Sequence, residues 1–317
     1  MNFAVAHRAL MQASSVLLVS HQNPDGDTLG SALAMAQFLI QQGKKCTHYC
    51  ATPLAQSFAF LPGYQRVTMD RDRIAVQHYD VMIVFDAGDL TYAGVQKLLL
   101  LFTHKPYLIN IDHHATNTLF GDLNLVDVSA SSTAEIVYAL LMSFKVTLTS
   151  DIATNLLMGI MTDTGHFSNL ATTSRSLHIA AKLLNLGAHY KAIYVYLHAK
   201  SLQLLRLWGK ILSRLQKNSE WNVVYTFLTH EDLEALEIEE NEALKITNFL
   251  NIITNVRAVL FLYERSDGMI KGSFRTTHPL IDVAKIAKLL GGGGHTKAAG
   301  FLLPGKIQIT DGSWQIV

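Results

Sequence analysis

Between residues 15 and 188 the chain alternates short, unbroken apolar runs with longer stretches of helical period. Residues 15–20 (SVLLVS), 80–86 (DVMIVFD) and 106–112 (PYLINID) are short and uniformly apolar inside. Such runs predict strands buried on both faces, as in a parallel sheet. Residues 44–50 predict another strand and 124–127 a small one. After the first run, Leu29, Leu33, Ala36 and Ile40 recur at helical spacing, and Gly43 is placed to stop that helix. Helices are also predicted over 93–102, from the capping-box sequence at 132–135 to 144, over 150–162, and over 173–186 before Gly187. Residues 52–63 predict a loop with a short helix. Strand alternating with helix predicts an α/β fold, a parallel sheet with helices on both faces.

The pattern changes at 189. Residues 189–218 are helical in period and carry no strand signal, so they predict a helical linker. A smaller α/β domain then follows. Strands are expected over 221–228, 256–263, 269–276 and near 300–303. The middle two form a hairpin across Arg265-Ser-Asp-Gly268. Helices are expected from Thr229, over 239–255 and over 282–290. The domain plan is therefore 1–188, a linker over 189–218, and 219–317.

Composition changes this picture little. Hydrophobic residues make up 49% and charged residues 16%, enough for ordinary cores. No apolar run approaches the roughly 18 residues of a membrane span, and the N-terminus lacks the pattern of a secretory signal. The two cysteines, Cys46 and Cys50, support neither a disulfide framework nor a zinc site. A cytoplasmic protein is expected. The net charge of +1 argues against a large non-specific nucleic-acid surface.

The 14 histidines matter more, because several stand beside aspartates. His21, Asp25 and Asp27 follow the first strand in HQNPDGD. Asp86 ends the third predicted strand. Asp112, His113 and His114 end the fourth. Asp163 closes a helix in TDTG. All but Asp163 are predicted at carboxyl ends of parallel strands, which share one edge of the sheet. That many carboxylates in one place require cations. Carboxylate and imidazole without thiolate select Mn²⁺, Mg²⁺ or related ions. Two ions bridged by one carboxylate suit phosphoester hydrolysis. In the second domain, GGGGH (291–295) lets a backbone approach a phosphate, with Arg275 of SFR (273–275) as a bidentate partner.

The order HxxPDGD, Asp, DHH, TDTG and GGGGH resembles the DHH phosphoesterase superfamily. The match runs over nearly the whole chain, and SFR with GGGGH is similar to the DHH-associated C-terminal domain. Length and two-domain layout most resemble the NrnA-like branch, short-RNA hydrolases that also dephosphorylate 3′-phosphoadenosine 5′-phosphate (pAp). The resemblance implies two Mn²⁺ ions, with Mg²⁺ or Co²⁺ as substitutes. His21 and Asp25 would hold the first, Asp27, His113 and Asp163 the second, and Asp86 would bridge them. His114 would face the phosphate or leaving group, and Asp112 would orient a histidine. Arg275, Gly292, Gly293, Gly294 and His295 would grip the substrate, in a cleft expected between the domains. Lys297 is either a helper there or a solvated surface residue. The implied substrates are short single-stranded oligonucleotides and pAp, with no membrane partner and a homodimer left open. The alternatives are a linear dinucleotide (pApA or pGpG) phosphodiesterase, a RecJ-like exonuclease and a non-catalytic nucleotide sensor. His166 stands after TDTG where many relatives carry a small residue, as an exposed neighbour or a substrate contact.

Overall fold

The computed structural model describes residues 1–317 apart from 239, 311 and 312, and apart from the side chains of 241, 242 and 313. Two compact units divide the chain, Met1–Ala199 and Lys200–Val317. No helix among the described residues is long and apolar enough to cross a membrane.

The first unit is built on six parallel strands: β1 (Ser15–Ser20), β2 (Lys45–Cys50), β3 (Val67–Thr68), β4 (Val81–Phe85), β5 (Tyr107–Asp112) and β6 (Leu123–Val126). They lie in the order β3-β2-β1-β4-β5-β6, all pairs parallel. The order reverses between β1 and β4. At such a switch point, chains leave neighbouring strand ends in opposite directions and open a crevice.

One face of this sheet carries α1 (Phe3–Gln12) and α2 (Gly26–Gln41). After α3 (Arg71–Ala75) in sequence come α4 (Thr133–Ser143), α5 (Ser150–Asp163), α6 (Ser174–Asn185) and α7 (Tyr190–His198), and all four pack on that first face. Its core includes Leu18, Leu29, Ile83, Val137 and Leu156. The second face is thinner. It is covered by Ile74 of α3 and by Ala93, Val95 and Leu98.

The helix expected over 93–102 is absent, and those residues form successive turns. Gly94 adopts φ +75°, outside the helical region, and a Cβ there would lie 2.7 Å from both Ala51 and Gln22 side chains. The apolar residues are buried as expected, but by turns. β3 was not anticipated. With two residues it is too short to carry a periodicity.

The expected linker splits. Ile193 of α7 is buried in the first core. α8 (Leu202–Ser213) buries Leu204, Leu207 and Ile211 in the second. The stretch is also not free of strand, since β7 (Gln216–Asn218) pairs with β8 (Val223–Leu228). β7 is polar and exposed, which hid it from a reading based on apolar runs.

The second unit continues with α9 (His230–Glu234), α10 (Glu240–Ala243), α11 (Ile246–Phe249), β9 (Ala258–Glu264), β10 (Met269–Arg275), α12 (Val283–Leu289), β11 (Gly293–His295) and β12 (Ala298–Pro304). A hairpin of β13 (Ile307–Thr310) and β14 (Ser313–Ile316) ends the chain. The main sheet runs β11-β12-β10-β9-β8-β7, mixed rather than parallel. The predicted β9–β10 hairpin forms in register. The helix expected over 239–255 breaks instead into α10, α11 and a 3-10 turn over Leu250–Ile252, while residue 239 lies outside the described residues.

Candidate metal centre

The carboxyl ends of β1, β4 and β5 meet at the switch point, and each delivers a predicted site residue there. His21 follows β1, Asp86 follows β4, and Asp112 ends β5 ahead of His113 and His114. Thr28 ties two of these ends together. Its hydroxyl donates to the Phe85 carbonyl at 3.1 Å and accepts from the His21 N–H at 3.3 Å. Asp86 sits at φ +57°, a left-handed conformation that a non-glycine residue adopts at a cost. The backbone is held there by its N–H donating to the Ile111 carbonyl at 2.9 Å.

Asp25 caps α2, its Oδ1 accepting from the N–H groups of Asp27 and Thr28 at 3.0 and 3.1 Å. It also lies beside His21, whose Nε2 is 3.8 Å away. The helix cap and the candidate ligand are therefore the same side chain. Asp27 is fully buried and accepts from Thr133 N–H at 2.6 Å and Ala134 N–H at 2.8 Å, the first turn of α4. Asp163 arrives at the end of α5 because α2 and α5 pack without side chains between them. A Cβ on Gly30 would lie 2.2 Å from the Asn155 carbonyl, and one on Gly159 would lie 2.5 Å from Asp27 Oδ1. Gly159→Ala is expected to cost about 1–3 kcal/mol by overpacking, visible as a lower denaturation midpoint. An unchanged midpoint would mean the helices yield freely.

Three groups of ligand atoms lie within 4.8 Å of one another. They are His21, Asp25 and Asp86; Asp27, His113 and Asp163; and Asp86, His113 and His114. Asp86 is shared, with Oδ2 at 3.6 Å from His21 Nε2 and Oδ1 at 3.6 Å from His113 Nε2. The first two groups hold the side chains expected as ligands from the sequence, and the third adds His114, which was expected to face the phosphate instead.

The imidazole orientations decide whether a cation fits. His21 Nδ1 lies 2.8 Å from the Gln22 carbonyl and His113 Nδ1 lies 3.2 Å from the Ala130 carbonyl. A carbonyl only accepts, so each Nδ1 carries the proton. In the neutral ring, Nε2 then presents a lone pair toward carboxylate oxygens. Nε2 of His113 is buried and has no partner with hydrogen-bond geometry, although Asp163 Oδ2 is 3.0 Å away. Lone pairs facing carboxylates are stable around a cation, and backbone-oriented imidazoles are how metal ligands are fixed. The residues fit divalent cations.

The electrostatics agree. Burial first, then the mutual repulsion of Asp86, Asp163 and their neighbours, pushes the carboxyls of Asp25, Asp27 and Asp163 above the ordinary range. Burial would lower His113, but Asp163 and Asp86 overcome it and raise it to about 9. The cluster is short of positive charge.

Asp112 works differently. It is buried and accepts from His113 N–H, His114 N–H, His114 Nδ1 and Asn117 Nδ2 at 2.5–3.2 Å. Burial would raise its carboxyl, yet the bonds from His114 and Asn117 hold it below the ordinary value. His114 thus keeps a proton on Nδ1, raised by that bond, with its half-exposed ring turned outward.

Sequence reasoning missed Thr133, whose hydroxyl donates to Asp86 Oδ1 at 3.0 Å, and Asn117. The capping-box signal at 132–135 marked the right helix start, and Ser132 does cap it. Glu135 takes another role, accepting from Ser131 N–H and Oγ and from Arg175.

In the second unit, strand register places His295 and Arg275 on either side of Ala298, at one end of the sheet. GGGGH is an edge strand at 293–295 rather than a free loop. Gly292 has no space for a side chain, since a Cβ would lie 2.1 Å from the Gly300 carbonyl. Gly293 has open space around it, and Gly294 adopts φ +140°. Arg275 is partly buried, and burial lowers its pKa. Lys297 is an exposed residue whose side chain is engaged within its own unit. Its ammonium donates to the carbonyls of His278, Pro279 and Ile281 at 2.6–3.0 Å and pins that loop.

Known proteins carry the same plan. Residues 15–160 match the DHH family, N-terminal domain, and residues 221–312 match the DHHA1 domain. The bifunctional oligoribonuclease and PAP phosphatase NrnA of Thermus thermophilus is 31% identical over 291 residues, 92% of this chain and 84% of that protein. The chain belongs to the DHH family of phosphoesterases. A protein of the same name from Bacillus subtilis is 27% identical over 92% of this chain and 90% of its own length. Among solved structures, an exopolyphosphatase-related protein from Bacteroides fragilis superposes with a TM-score of 0.80 at 25% identity, over 95% of this chain and 90% of that one. As a DHH-family phosphoesterase the chain is a metal-dependent hydrolase, and the Asp and His groups described above could bind the metal.

Proposed function

We propose that this phosphoesterase cleaves short oligonucleotides to mononucleotides and removes the 3′-phosphate of pAp, with two Mn²⁺ ions. His21 and Asp25 would hold one ion and Asp27, His113 and Asp163 the other, with Asp86 as the carboxylate shared between them. The observation that carries this is Asp86, whose two oxygens are divided between His21 and His113. Mn²⁺ suits an all N/O donor set of this kind. Divalent cations there supply charge neutralisation and a more acidic water. The protein does the rest. Asp112 orients His114 by accepting a hydrogen bond from its Nδ1–H, which leaves Nε2 to carry or give a proton at a phosphoryl or leaving-group oxygen. Thr133 keeps the Asp86 carboxylate from rotating.

The relatives named as oligoribonuclease and pAp phosphatase support this substrate class over a RecJ-like exonuclease, a dinucleotide-specific phosphodiesterase or a sensor. Charge supports it too. A long strand needs a track of cations, one for each neutralised phosphate. The chain has 26 Lys and Arg against 25 Asp and Glu. The test compares kcat/KM with Mn²⁺ for pAp, a dinucleotide, a five-mer and a long single strand. The short substrates are expected to win, and equal hydrolysis of the long strand would favour the exonuclease reading.

Arg275, His295 and the backbone of Gly292, Gly293 and Gly294 are the substrate-binding candidates in the second unit. Arg275→Ala and His295→Ala are expected to raise KM about tenfold or more with little change in kcat, as for binding shared by ground and transition states. Metal content by elemental analysis should not change. Loss of metal from either variant would place these residues among the ligands instead.

A further inference from the structure

Tyr92 belongs to none of the motifs, yet it stands over one of them. Its ring packs on His21 with centroids 4.8 Å apart. The turn that carries it is fastened to the HQNPDGD turn. Gln22 N–H donates to the Tyr92 carbonyl at 3.2 Å, and Gln22 Nε2 donates to the Thr91 carbonyl at 2.7 Å. Tyr92 N–H donates to Asp89 Oδ1 at 2.7 Å, and Gly94 lets the turn close against Gln22. The ring is thus presented by a rigid backbone while 51% of the residue remains exposed. A half-exposed tyrosine on its own is ordinary. This one is held against a candidate ligand whose own Nε2 lies 3.8 Å from Asp25 Oδ1 and 3.6 Å from Asp86 Oδ2. With the ring held there and half exposed, its hydroxyl is open to an acceptor that is not part of the fold.

We propose that Tyr92 is a substrate-contacting residue, its hydroxyl donating to a non-bridging oxygen of the phosphoryl group bound beside His21 and Asp86. This rests on the two-cation reading of the cluster. A phosphoryl group among cations brings anionic oxygens to that mouth, and a neutral donor there binds them without repelling the cations. The His21 face of the ring is already covered, so the hydroxyl rather than that face is the recognition element.

The test uses the full chain loaded with Mn²⁺ and the variants Tyr92→Phe and Tyr92→Ala. The readouts are kcat/KM for a dinucleotide and for bis(p-nitrophenyl) phosphate, the Kd of inorganic phosphate by calorimetry, and the Kd of Mn²⁺. Tyr92→Phe keeps the stacking and the backbone bonds. It is expected to lose about 10-fold or more in kcat/KM on both esters and in phosphate affinity, the scale of one hydrogen bond to a charged oxygen. Mn²⁺ affinity should stay unchanged. Tyr92→Phe within about twofold of the parent in phosphate affinity overturns the proposal, and so does a parallel loss of Mn²⁺ affinity, which would make Tyr92 a support for His21. The phosphate titration does not depend on which ester is preferred, so failure of the oligonucleotide reading is distinguishable from failure of this one.

Discussion

Asp86→Asn is expected to reduce kcat by about 10³-fold or more while leaving the fold intact. Asparagine is the substitution of choice because the position lies at φ +57°. Asn tolerates the left-handed region better than Ala, so the backbone at the end of β4 should survive. What is lost is charge and one anionic oxygen. The two oxygens of Asp86 serve different neighbours, His21 on one side and His113 on the other. A single change therefore disturbs both ligand groups, whereas Asp25→Asn or Asp163→Asn disturbs one. The measurement pairs single-turnover rates with Mn²⁺ stoichiometry by elemental analysis. Activity retained within about tenfold would show that Asp86 does not bridge.

Removing the metal is expected to abolish turnover, and Mn²⁺ to restore it. Full activity after exhaustive chelation would sink the two-cation mechanism. The same cluster predicts how metal binding depends on pH. Without cations, Asp25, Asp27 and Asp163 have raised pKa values, from burial and mutual repulsion, and His113 is raised to about 9 by Asp163 and Asp86 against burial. Each group binds its proton more tightly folded than unfolded. The metal-free fold therefore loses stability as pH rises. The carboxyls contribute that loss upward from their ordinary values, and His113 contributes it between about 6.5 and 9. Cations replace those protons, so their affinity rises over the same interval. The shift in melting temperature on adding Mn²⁺ should be larger at pH 8 than at pH 6. A shift that shrinks with pH would contradict the ligand assignment.

Much of this molecule was legible in the linear chain, and the reason is local. The apolar runs at 15–20, 80–86 and 106–112 can be satisfied only by burial on both faces, and they became β1, β4 and β5. Motif residues that follow such strands are carried to one sheet edge by topology alone, because parallel strands end together. HQNPDGD, Asp86 and DHH were therefore placeable without coordinates. The helix expected over 93–102 failed for the converse reason. Burial of Ala93, Val95 and Leu98 is compatible with a helix or with turns, and Gly94 packed against Ala51 and Gln22 decides for turns. The linker over 189–218 failed because amphipathic period says that a helix has a buried face but not which core buries it.

The sequence by itself determined which side chains could serve a metal centre and on which edge they stand. Only the tertiary structure decided how they are held. Asp27 is fixed by the first turn of α4, a contact between residues 106 and 107 positions apart. Asp163 reaches Asp27 because Gly30 and Gly159 let two helices touch. His21 and His113 turn Nε2 inward because backbone carbonyls of Gln22 and Ala130 hold their other nitrogens. Tyr92 comes to lie over His21 through a turn of no regular period. Each of these rests on close approach between distant segments, and hydrophobic period and motif spacing record only what neighbours along the chain require.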